Sequence, residues 1–333
     1  MLRFKLVYSD AYYLPIGEHV FPAQKYRLVH QHLLSQRVAE PEDFVEPQPA
    51  IDDDILLVHT REYVDKLKTG MLSAREELTL EVPFSEELVK AFWLSAGGSI
   101  LAARRALENG VAFNIGGGFH HAFPDHGEGF CMINDVAVAV RRLQADDAIA
   151  RAMIVDCDVH QGNGTAAIFG EATAASASLP SSSWSAPMFQ PARPVSFKEG
   201  KHSGDVFTIS LHQENNYPAW KPPSSIDVNL PDHTNDAEYL AWLDNSLSSG
   251  LRQFDPDLIC YLSGADPYRE DQLGGLDLTM DGLKQRDELV FGVAKSRGIP
   301  VMVTFAGGYA RRVQDTVQIH CNTVIAAKEV FRV

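Results

Sequence analysis

Short β-branched runs recur along this chain, and several are apolar on both of their faces: FKLVYS (4–9), VAFNI (111–115), RAMIVDC (151–157), DVFTISLH (205–212), DLICYLS (257–263) and IPVMVTFA (299–306). A strand with one wet face alternates apolar and polar residues, whereas a strand apolar throughout needs cover on both sides. The segments between the runs supply that cover. Ser85 is placed to cap a helix that runs to Asn109-Gly110, Asn235 with Glu238 has the pattern of a capping box, and a helix over 280–297 stops at Gly298. Alternating strands and helices imply an α/β fold, three-layered, with a doubly wound and mainly parallel sheet. No internal repeat is present, and 333 residues fit one domain of this kind.

Residues 171–204 break the rhythm, being rich in Ser, Ala and Pro without a sustained period. So long a loop in a compact domain is either functional or loosely held. Its composition favours a surface insertion; a substrate-facing flap resting on Trp184, Met188 and Phe189 is the other reading.

A net charge of −15 excludes the electrostatic footprint of a nucleic-acid binder and favours cationic partners such as lysine-rich peptides or polyamines. Part of that charge, the acids of 40–54, reads as a solvated segment. No apolar stretch approaches a membrane span, the first residues lack a secretory leader pattern, and Cys131, Cys157, Cys260 and Cys321 lack CxxC spacing. A cytoplasmic protein with reduced, packed cysteines is expected.

The chemistry gathers where strands end, the edge at which open α/β sheets bind ligands. In VDCDVHQGNG (155–164), Asp156, Asp158 and His160 are two apart and share a face. Burying two acids beside a histidine is costly unless a cation compensates them. Asp266 follows DLICYLS, and Tyr309 follows IPVMVTFA across a Gly-Gly pair that lets the backbone bend close to a ligand. Asp158, His160 and Asp266 make three protein ligands with a position left open, as in catalytic zinc sites; Mn²⁺ or Fe²⁺ would also suit the oxygen-rich set. In NIGGGFHHAFPDHGEGFC (114–131) the GxGxxG spacing of a dinucleotide loop is absent, and the adjacent His120 and His121 suit a paired acid–base role.

GGGFHHA, GFC, VDCDVHQGNG, SGADP, DQLGGL and AGGY occur here in the order found in zinc-dependent histone deacetylases. The resemblance spans nearly the whole chain and looks closest to the class IV branch and its bacterial relatives, although 171–204 reads as an insertion which that compact pattern lacks. It implies a single deacetylase domain over 1–333 with the arginase/deacetylase fold. Asp158, His160 and Asp266 would hold Zn²⁺, His121 would act as general base, and His120, paired with Asp156, would stay cationic. Asn163 would support His121 where many members carry Asp, and Tyr309 would stabilise the oxyanion. Gly129, Phe130, Tyr217 and Leu273 resemble the pocket that holds an acyl-lysine chain. Asp156, Asp158, His160, Ser210 and Leu211 match the seat of a structural K⁺. The expected substrate is an acyl-lysine peptide or protein, or an acylated small amine. An arginase-like binuclear ureohydrolase would need a second carboxylate cluster, and a non-catalytic acyl-lysine-binding scaffold would not need every catalytic side chain retained.

Overall fold

The computed structural model describes residues 1–170 and 205–332, so the 171–204 segment, with Trp184, Met188 and Phe189, lies outside the described residues. One sheet holds the strands β1 (Lys5–Val7), β2 (Phe44–Val45), β3 (Val111–Asn114), β4 (Ala152–Asp156), β5 (Val206–Gln213), β6 (Ile226–Leu230), β7 (Leu258–Leu262) and β8 (Val301–Thr304). Their spatial order is β2-β1-β3-β8-β7-β4-β5-β6, and every pairing is parallel. The mainly parallel expectation therefore resolves to wholly parallel. Each run read as a strand is one; β2 and β6, on the two edges, were not foreseen.

The helices are α1 (Lys25–Ser35), α2 (Asp52–Ile55), α3 (Arg61–Thr69), α4 (Ala74–Leu80), α5 (Glu86–Asn109), α6 (Asp135–Ala145), α7 (Asn163–Phe169), α8 (Asp236–Gln253), α9 (Met280–Arg297) and α10 (Val313–Val330). Helices cover both faces: α1, α10, α9 and α8 pack in a row, and α5 packs with α6. The caps are those expected. Ser85 Oγ accepts the Leu88 N–H, Asn235 and Glu238 close a capping box, and α9 ends at Gly298 in the left-handed region. β3, β4, β7 and β8 are buried at every position, as strands roofed on both sides must be. All four cysteines are free and buried.

The acidic 40–54 segment is only partly a solvated face. Asp43 is buried and accepts the Leu2 and Glu40 N–H groups, and Asp54 accepts the Ile51 N–H at the start of α2. Among the described residues no helix is long and apolar enough to cross a membrane.

Candidate functional site

Topology concentrates polar groups at the middle of the sheet. After β3 the chain passes over a gap and builds β4, β5 and β6 outward, then returns to fill the gap with β7 and β8. The loops leaving β3, β4, β7 and β8 therefore meet side by side, carrying His120 and His121, Asp156 to Asn163, Asp266, and Tyr309.

Asp158, His160 and Asp266 are all buried, and one ligand-type atom from each lies within 4.8 Å of the others. His160 Nδ1 is 3.1 Å from Asp158 Oδ1 and 3.5 Å from Asp266 Oδ2. Backbone donors hold the opposite oxygens: Gly307 N–H donates to Asp158 Oδ2 at 2.7 Å, and Val159 N–H donates to Asp266 Oδ1 at 2.9 Å. Asp266 Oδ2 accepts no hydrogen bond although it is sealed from water. Burial and the neighbouring Asp158 raise the Asp266 carboxyl to about 7. Burial opposes charge on His160, but Asp158 and Asp266 outweigh it and push the imidazole up to about 10. Two buried acids, one with an orphaned oxygen, around an imidazole nitrogen fit a divalent cation with N/O ligands.

The two neighbouring histidines sit in contrasting surroundings. His120 Nδ1 is 2.7 Å from Asp156 Oδ2, and its Nε2 is 3.1 Å from His121 Nε2. His121 Nδ1 is 2.7 Å from Asn163 Oδ1. Burial works against a charged His120, yet Asp156 and Asp158 lift it to about 9. For His121, burial and the positive charge of His120 and His160 act together and hold the ring well below the ordinary value. Charge on one ring and neutrality on its neighbour is the separation that divides acid from base work.

A cavity of about 180 Å³ opens above these groups. Its floor is His121, His160 and Tyr309; its walls include Phe130, Gly129, Tyr217 and Leu273, and Glu81 and Asn216 also line it. The bend that turns Phe130 into the cavity uses positive φ at both Gly129 (52°) and Phe130 (68°). Tyr309 is held by its backbone, whose N–H donates to Asp271 Oδ2 at 2.6 Å. Burial and the charges of Asp158 and Asp266 keep its phenol protonated, hence a donor.

A histone deacetylase domain profile matches residues 19–324. The chain belongs to the histone deacetylase family. An uncharacterized protein of Picosynechococcus sp. strain PCC 7002 is 37% identical, covering 99% of this chain and 100% of its own length. Histone deacetylase 2 of Arabidopsis thaliana is 31% identical, covering 95% of this chain and 78% of its own. The acetoin utilization protein AcuC of Staphylococcus aureus is 27% identical over 91% of this chain and 76% of its own. A crystal structure of a histone deacetylase homologue complexed with SAHA superposes with a TM-score of 0.75 at 22% identity, covering 99% of this chain and 84% of that one; this likeness establishes the arginase/deacetylase fold. Family and relatives together support a deacetylase hydrolase.

Within this histone deacetylase fold the expected positions His121, His160, Tyr309, Gly129, Phe130, Tyr217 and Leu273 line the cavity, whereas His120, Asn163, Asp158 and Asp266 are joined to it through His121 and His160, and Asp156 through His120. Of the expected K⁺ positions, Ser210 is paired in register with Asp156, and its Oγ is 2.9 Å from His212 Nδ1. Three buried or half-buried ions near the site were not foreseen. Lys25 donates to Ala306 O at 2.5 Å and lies over the Phe21 ring; burial lowers it to about 8 against the pull of Asp266, Asp158 and Asp271. Arg286, fully buried, donates to Gly264 O at 2.6 Å and Cys157 O at 3.3 Å, gripping the chain just before Asp158 and Asp266. Glu128 accepts from Asn163 Nδ2 at 2.8 Å and from the Tyr217 hydroxyl at 2.6 Å.

Proposed function

We propose that this chain is a divalent-metal-dependent amidohydrolase, most simply a zinc enzyme, that removes acetyl or longer acyl groups from lysine side chains or similar amines. The observation that carries the reading is the buried Asp158–His160–Asp266 set with its orphaned Asp266 Oδ2, whose His160 lines a cavity together with the Tyr309 phenol and His121, the latter backed by His120. Zn²⁺, or Mn²⁺ or Fe²⁺, held by these three residues would polarise the amide carbonyl and acidify a water.

The chain's own groups account for the remainder. Phe130, Tyr217 and Leu273 line the cavity with apolar surface suited to the methylene stem of a lysine. His121 Nε2 takes a proton from the attacking water as the C–O bond forms, and returns one to the departing amine as the C–N bond breaks. His120, kept cationic by Asp156, stabilises the negative charge that develops, and Tyr309 donates to the tetrahedral oxyanion. A structural K⁺ beside Asp156, Asp158, His160, Ser210 and Leu211 belongs to the same reading, as does a class IV-like pocket for an acyl-lysine peptide or an acylated small amine.

The test is metal content and turnover together. Zinc should bind the purified protein at one ion per chain, and Asp266→Ala should lose both the ion and the hydrolysis of an acetyl-lysine peptide. A variant that keeps a full complement of metal would overturn the ligand assignment. Profiling kcat/KM across acyl length and amine scaffold then identifies the substrate class.

A further inference from the structure

We infer that Glu128 is a positioning residue that acts on His121 through Asn163, setting which ring nitrogen of His121 carries the proton. The inference rests on the reading of His121 as general base and adds a residue to it. An ionised carboxylate can only accept hydrogen bonds, so the group Asn163 turns toward it must be its NH₂. The Glu128 carboxyl is ionised: burial resists the charge, but His126, Tyr217 and Asn163 draw its pKa below the usual value. With Asn163 Nδ2 held by Glu128 at 2.8 Å, Asn163 Oδ1 must face the other way, to His121 Nδ1 at 2.7 Å. The Gly164 N–H, 3.1 Å from Oδ1, favours the same orientation.

An amide oxygen can only accept, so His121 must carry its proton on Nδ1. That leaves a lone pair on Nε2, the nitrogen that faces the cavity floor and the His120 ring, whose cationic form turns an N–H toward it and so favours the same tautomer as Asn163 does. A base with its proton on the wrong nitrogen cannot accept from water, however favourable its basicity. An aspartate at position 163 would accept from His121 without help, because both of its oxygens are acceptors. Asparagine has a wrong way round, and Glu128 removes that choice. Its second oxygen lies 3.6 Å from His126 Nε2, which is itself paired with Asp125, so the carboxylate is held from the outer side as well.

The experiment compares Glu128→Met, Glu128→Gln and Asn163→Asp, singly and combined, in the zinc-loaded full chain. Glu128→Met removes the acceptor and should lower kcat about tenfold, less than loss of the general base itself. Glu128→Gln keeps one acceptor oxygen and should restore most of that loss. In the Asn163→Asp background Glu128→Met should cost nothing or raise activity, since a carboxylate at position 163 would repel Glu128. Tyr217→Phe, which cuts only the other hydrogen bond to Glu128, separates effects of the pocket wall on KM from effects on His121. Nitrogen-15 shifts of the His121 ring report the tautomer directly and should move toward a mixture in Glu128→Met. An unchanged tautomer, or an equal loss with and without the Asn163→Asp substitution, overturns the inference. Wild-type protein inactive on every acylated amine would instead bring down the proposed function, while the tautomer measurement would still judge Glu128.

Discussion

Gly307 offers the sharpest test of how the ligand set is held. A Cβ built there would sit 2.0 Å from Asp266 Oδ2 and 2.5 Å from Asp158 Oδ2. Both distances are roughly 1 Å inside van der Waals contact, on the oxygens that face His160 and the Gly307 backbone. Gly307 is not among the glycines with positive φ, so alanine meets no backbone penalty; the whole cost falls on the two carboxylates. Either they swing away or the β8 loop backs off, and in both cases the ligand geometry opens. Groups that orient metal ligands typically govern affinity by 10–100-fold, so Gly307→Ala should weaken zinc binding by about that factor, or ~1.4–2.7 kcal/mol. In the metal-free protein Asp266 Oδ2 has no hydrogen bond to lose, but Asp158 Oδ2 holds the Gly307 N–H at 2.7 Å, so displacing these buried groups should also lower the melting temperature. Competition with a chromophoric chelator measures the first quantity and calorimetry of the stripped protein the second. Wild-type zinc affinity in a folded Gly307→Ala protein would refute the idea that these oxygens surround the ion.

Tyr309→Phe should lower kcat by roughly 10²–10³ with little change in KM, as for other oxyanion donors; steady-state kinetics decide, and a rise in KM alone would reassign the hydroxyl to substrate binding. Burial opposes a charged His126, but Asp125 and Glu128 raise it to about 9, above its ordinary 6.5. Its contribution to stability is thus complete below pH 6.5 and disappears as pH rises through 9. With a third of the side chain exposed, solvent screening reduces that contribution to on the order of 1 kcal/mol. Denaturant melts of wild type and His126→Gln should converge at high pH. Gly292, inside α9, has open space where a Cβ would go, so Gly292→Ala should stabilise the protein by about 1 kcal/mol in the same melts.

The central strands and the site were readable because both leave local marks. The buried central strands are apolar but for a polar last residue in β3, β4 and β8, and the loops after them carry Asp, His and Tyr within a few residues of the strand end. What escaped the sequence has no such mark. β2 is only Phe44–Val45, and β6, IDVNL, alternates buried and half-buried residues on a sheet edge. Arg286 lies in KQRDELV, a stretch that reads as an ordinary wet helix face, and only the packed fold turns it inward. Glu128 stands in a glycine-flanked turn and draws its meaning from Asn163 and Tyr217, which are remote in the chain.

The order in which strands are laid down has a consequence for biosynthesis. A nascent chain that has passed β6 already carries Asp158, His160 and the His pair, but the sheet still has a slot open between β3 and β4. Asp266 arrives with β7 and Tyr309 only after β8, so the last strands to be made are the ones wedged into the middle. Until they insert, two halves of one sheet expose raw strand edges to each other and to every other chain nearby. Premature termination anywhere before β8 would leave a protein with exposed strand edges and no Tyr309, and the candidate metal centre doubles as the seam along which the fold is finally closed.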